Sequence, residues 1–242
     1  MRIQLGVSIE CLLDPTQKSL LTKEWTHLGS SVVPSRQSLA RARRRSPGGA
    51  VRHALDFFAG GRRFNRLMKG IADGVAMVPS LTSFVNYFYD TRTGLPFHDD
   101  SVTFIYSEHF FEHLFLDEVG GLLKECHRVL AQGGVIRTVL PDADLRTYEP
   151  IEPAGFTAGG DSWNDPQKHK SRWSVYSFSY MLGQSGFIAA PFVYCNRNGE
   201  FIRKLPDPKS TPYHGCLDKQ LIRRTDYIKR LDRSLCIDGI KA

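Results

Sequence analysis

The 242-residue chain has five cysteines, an odd number, at positions 11, 126, 195, 216 and 236, and no C-x-x-C pair. A disulfide framework and a cysteine-based zinc site are therefore not expected. No apolar run approaches the roughly 20 residues that a membrane-spanning helix needs. The opening MRIQLGVSIECLLDP lacks the long apolar stretch of a secretory leader, so a cytoplasmic location is the expectation. Net positive charge is also scarce, except in one place. Residues 36–69 hold ten Lys and Arg against one Asp, a local +9 in a chain whose total is +7, so the rest is close to neutral. No aromatic platform accompanies this basic stretch, which reads as a solvated insertion in preference to a nucleic-acid grip. The apolar content, 41%, is ordinary for a globular domain.

The periodicities alternate between two kinds. RIQLG (2–6) and EWTHLGS (24–30) read as short strands, and FVNYFYD (84–90) as a third. The sequence predicts a loop over 34–50 and a basic amphipathic helix around Phe64, Leu67, Met68 and Ile71. VTFIY (102–106) is a continuous apolar strand of the buried kind. From Asp117 the period becomes 3.6, with Val119, Leu122, Leu123, Cys126, Val129 and Leu130 on one stripe, ending at QGG. VIRTVL (135–140) follows as a strand. A helix around Val175, Phe178, Met181 and Leu182 closes at Gly186, and PFVYC (191–195) and SLCIDGI (234–240) read as the last strands, with a polar excursion over 198–232 between them. Strand, helix, glycine turn and strand in succession imply an α/β fold, a mainly parallel sheet flanked by helices.

His109-Phe-Phe-Glu112-His113 has the spacing H-x-x-E-H of a zinc peptidase. That chemistry needs both histidines on one helix face. His109 falls three residues after a strand, in the strand-to-helix turn, and no helical third ligand follows; His169, in KHK, stands alone among lysines. No metal site is expected. Phe110 and Phe111 read as core or cleft wall, and Glu112 and His113 as structural. Open α/β sheets instead bind ligands beyond the carboxyl ends of their strands. Gly6 to Ser8, Asp90-Thr91, Ser107 to His109 and Pro141-Asp142 all follow predicted strands.

The stretch DTRTGLPFHDDSVTFIYSEHFFEHL…LLKECHRVLAQGGVIRTVLPDADL resembles the centre of class I S-adenosylmethionine-dependent methyltransferases, above all the type 11 group frequent in bacterial gene sets. The shared order is an acidic residue after strand three, LPF, strand four, S-x-H-x-x-E-H-L, a helix with RVL, and a strand ending in PD. GEF, LIRRT and SLCIDGIKA resemble that group's last strands. The resemblance implies a single Rossmann-like domain of seven strands over 1–242, with 31–83 as an insertion between strands two and three. It implies S-adenosylmethionine as cofactor, bordered by Gly6, Ser8, Asp90, Thr91, Ser107 and Glu108. It implies transfer to an oxygen or nitrogen of a small molecule or glycan intermediate, with His109 or Asp142 as the base where the acceptor must lose a proton. A fold-keeping relative that only binds a partner, and an RNA methyltransferase using the basic segment, are the alternatives.

The sequence departs from that pattern at four places, of which the first two fall on cofactor contacts and the last should be harmless. The donor loop L-G-x-G reads Leu5-Gly6-Val7-Ser8. The acidic residue that ends strand two is replaced by Gly29. Thr103 stands for a common Asp, and Ala131-Gln132 precedes the Gly133-Gly134 turn in place of Lys-Pro. A missing ribose acceptor would cost about 1–3 kcal/mol of donor binding.

Overall fold

The computed structural model describes residues 1–6, 25–29, 84–86, 94–145, 169–228, 231 and 234–242. The predicted basic insertion, 31–83, lies wholly outside the described residues. Contacts divide the chain into two compact units, one of Met1–Gly6 with Tyr89–Ala242 and one of Val7–Phe88. In the second unit β2 (Trp25–Gly29) and β3 (Phe84–Asn86) pair in parallel, and β2 ends on Gly29.

Among its described residues the first unit holds six strands. They are β1 (Arg2–Leu5), β4 (Val102–Glu108), β5 (Leu130–Pro141), β6 (Phe187–Cys195), β7 (Phe201–Arg203) and β8 (Ser234–Lys241), in the spatial order β1-β4-β5-β8-β6-β7. β1, β4 and β5 run parallel, whereas β8, β6 and β7 continue the sheet through antiparallel pairings. The sheet is thus parallel only in part, against the expectation of a mainly parallel one. A parallel neighbour requires a long crossover, usually a full helix. Between β7 and β8 the described residues hold only the short helix α3 (Lys219–Arg223), and it serves another purpose. Its residues Leu221 and Ile222 are buried, so LIRRT begins as helix and is not a strand.

Helix α1 (Leu116–Val129) follows its predicted stripe: Val119, Leu122, Leu123, Cys126 and Val129 are all buried. Asp117 and Glu118 stand in its first turn and His127 and Arg128 in its last, each sign matched to the helix dipole. Its last turn explains why LPF and RVL go together. Arg128 donates to the carbonyls of Leu95 (3.0 Å) and Phe97 (3.0 Å) and to Asp99 (2.5 Å). Glu125 bonds Arg128 and accepts the Leu95 amide at 2.8 Å. The pair clamps the loop that leads into β4. Helix α2 (Val175–Gln184) begins at Ser174, whose hydroxyl accepts the Ser177 amide, and stops before Gly186, at φ +93°. It packs close to the sheet: a Cβ on Gly239 would lie 2.8 Å from Leu182.

β5 and β8 carry a buried ion pair that neither strand's apolar run announces. Arg137 and Asp238 are register partners and both fully buried. Two 2.7 Å bonds join them, from Nε to Oδ1 and from Nη2 to Oδ2. The guanidinium also donates to the carbonyls of Arg224 and Ile222 and lies 4.6 Å from the centre of the Phe192 ring. Tyr213 donates to Asp238 at 2.7 Å. Burial, and then Asp238, push the Tyr213 hydroxyl well above its ordinary value, so it stays a donor. The polar excursion before β8 supplies these carbonyls and hydroxyls.

Candidate active site

Three parallel neighbours, β1, β4 and β5, end side by side and bring Gly6, Ser107 to His109 and Asp142 to one edge of the sheet. Ser8, Asp90 and Thr91 lie outside the described residues.

Gly6 has φ +71°, a conformation that favours glycine. A Cβ there would meet the Phe110 ring at 2.2 Å. Glycine is thus demanded by Phe110 as well as by backbone shape. Phe110 is itself nearly buried and Phe111 fully so, as core or cleft wall.

Ser107 is a register partner of both Leu5 and Thr138. Ser107 and Thr138 are buried, and neither hydroxyl has a hydrogen-bond partner among the described residues. Buried hydroxyls are normally satisfied, so this orphaned pair fits a site that takes a polar group. Glu108, the next residue, points to the opposite face of the strand. It accepts the Tyr106 hydroxyl at 2.7 Å. Burial first, and Glu108 second, push that phenol up.

His109 leaves the strand in a left-handed conformation, φ +49°, while its amide still pairs with the Val139 carbonyl at 2.9 Å. Its ring lies between two partners: Nδ1 is 3.1 Å from Glu112 Oε1, and Nε2 is 3.4 Å from Ser234 Oγ. Glu112 sits in a single 3₁₀ turn, Phe111–His113, and is almost fully buried. The two histidines of H-x-x-E-H therefore do not share a helix face. A carboxylate at Nδ1 favours the proton there and leaves Nε2 with a lone pair.

Asp142 is fully buried and both its oxygens are engaged. Oδ2 accepts the Cys195 amide at 2.6 Å and Oδ1 the Asp144 amide at 3.0 Å. Burial raises its carboxyl and the two amides oppose the rise. Its geometry is that of a brace between the ends of β5 and β6.

Residues 77–138, a span that takes in β4, α1 and most of β5, match the family model described as a methyltransferase domain. Over that segment the chain is similar to methyltransferase domains of the type 11 group. No curated protein is a significant match. Among solved structures it is similar to a chain from the complex of the Haloferax volcanii Trm112 methyltransferase activator with a methyltransferase: 16% identity, 99% of this chain and 81% of that one, TM-score 0.47. It is also similar to a SAM-dependent methyltransferase from Aquifex aeolicus (10%, 100% and 81%, 0.46) and one from Mesorhizobium loti (17%, 99% and 89%, 0.45). These likenesses are remote. Among the described residues no helix is long and apolar enough to cross a membrane.

Proposed function

We propose that the chain transfers a methyl group from S-adenosylmethionine to an oxygen or nitrogen of a small molecule or glycan intermediate. The observation that supports this best is the edge where Gly6, Ser107 and His109 meet, with two orphaned buried hydroxyls beside it. Bound S-adenosylmethionine supplies an electrophilic methyl on a sulfonium. Ser107 and Thr138 would hydrogen-bond its polar groups, and Ser8, Asp90 and Thr91 would complete the donor side. Positioning and exclusion of water then do most of the work. His109 would receive the acceptor's proton at Nε2, because its 3.4 Å contact with Ser234 is long enough to be displaced. Glu112 would hold the ring. Asp142 would shape the cleft wall through its two backbone bonds.

Two observations favour a second reading, a relative that keeps the fold and binds without transferring. The Phe110 ring occupies the space against Gly6, and β2 ends on Gly29 where the family pattern has an acid. Incubation with labelled donor and separate small-molecule, glycan and RNA acceptors distinguishes the outcomes. Label in a small molecule or glycan, lost by about a hundredfold or more in His109→Gln, is the expected result. Label in RNA alone contradicts the acceptor class, and label nowhere favours the binding protein.

A further inference from the structure

The sequence argument against a metal paired His109 with His113. The structure pairs His113 with His169 instead. We propose that Glu112, His113 and His169 form a binding site for a divalent transition cation of the zinc class.

The donor atoms of these three side chains all lie within 4.8 Å of one another, and the two imidazole rings stand 5.0 Å apart at 80°. Glu112 Oε1 is 4.0 Å from His113 Nε2. Atoms held by one tetrahedral zinc at about 2.1 Å stand about 3.4 Å apart, so small torsions of the histidines close the set. His169 is not there by a loop's accident. Two backbone amides next to it, of Lys170 (2.7 Å) and Ser171 (3.1 Å), both donate to the Glu112 carbonyl. Ser171 also donates to the Phe111 carbonyl at 3.3 Å and accepts the Trp173 indole N–H at 2.8 Å, and Ser171 and Trp173 are buried. The 169–173 segment is thus fastened to the 3₁₀ turn, residue by residue.

A second observation points to a ligand. Glu112 is 2% exposed, and while Oε1 faces His109, Oε2 has no hydrogen-bond partner among the described residues. A buried carboxylate with an open oxygen is costly unless a cation meets it. Two imidazoles and one carboxylate suit zinc and its neighbours, not magnesium or calcium, which prefer all-oxygen sets. Three protein ligands leave a fourth position for water or an oxygen of a bound molecule. His109 would then bond Glu112 from behind, as an outer partner that orients the ligating carboxylate.

The test uses the full untagged chain, stripped with chelator and titrated with Co²⁺ and then Zn²⁺. The expected result is one equivalent of Co²⁺ per chain with the intense visible bands of low-coordinate nitrogen and oxygen ligation, bleached by Zn²⁺. His169→Ala and His113→Ala should each weaken binding by more than about tenfold with thermal melts kept. His214→Ala, an exposed histidine outside the cluster, should leave it unchanged. Failure of the wild type to bind Co²⁺ overturns the proposal. So does equal binding by His169→Ala and His113→Ala, or loss on His214→Ala. The absorption readout does not depend on donor binding or methyl transfer.

Discussion

Ser107 and Thr138 face each other across β4 and β5, and both hydroxyls are buried with no hydrogen-bond partner among the described residues. Such groups weaken the empty protein and strengthen a complex that satisfies them. Thr138→Val keeps the shape and removes the hydroxyl. The unliganded variant should be more stable by about 1 kcal/mol, and S-adenosylmethionine should bind about tenfold more weakly. Denaturant melts and calorimetric titration measure the two. A variant that is both less stable and unchanged in binding would contradict the role given to this pair.

Gly6 and Phe110 form a packed contact that allows no Cβ. Gly6→Ala should cost about 1–3 kcal/mol from the left-handed backbone and the overlap with the ring. Phe110→Ala in the same chain should recover the overlap but not the backbone part. A Gly6→Ala step that costs as much in the Phe110→Ala chain as in the wild type would show that the ring plays no part.

The Arg137–Asp238 pair is satisfied on every side, so breaking it leaves an uncompensated charge. Asp238→Asn or Arg137→Met should each cost about 3–5 kcal/mol, while Arg137→Met with Asp238→Leu should cost less than either single change. Urea midpoints of the three chains test this. Additive losses in the double variant would mean that the pair is not one unit.

Acid should loosen the clamp on the LPF loop. Arg128, by its side-chain bond, holds the Glu125 carboxyl below its ordinary value of 4.5. A carboxylate with a depressed value in the folded state adds stability above the unfolded value, and loses it as pH falls through the folded one. Glu125→Gln should therefore be less stable than the wild type near neutrality. The gap should narrow below pH of about 4.5. Melting temperatures across that range measure it; a constant gap would remove Glu125 from the account.

The strand ends were legible because each element announced itself locally. The run VTFIY, the 3.6-residue stripe of α1 and Gly186 placed β4, α1 and the end of α2 closely, but α1 stops at Val129, before QGG, because β5 begins at Leu130 and runs through Gly133 and Gly134. Three things were not legible, for one physical reason. The antiparallel half of the sheet, the Arg137–Asp238 pair and the meeting of His169 with His113 all join residues far apart in sequence. Period and spacing report one element at a time. A hint existed for the ion pair: Arg137 and Asp238 are lone charges inside apolar strands, and a fully buried charge calls for a partner. The H-x-x-E-H spacing did not mark a shared helix face, since His109 turns away into a left-handed bend.

The central claim is that this chain binds S-adenosylmethionine at the edge formed by Gly6, Ser107 and His109. Isothermal titration of the full chain with S-adenosylmethionine, repeated with the demethylated product and with Ser107→Ala, tests it most directly. The account predicts saturable binding of both ligands at a shared site and weaker binding by Ser107→Ala. No heat and no thermal shift at millimolar ligand would contradict it.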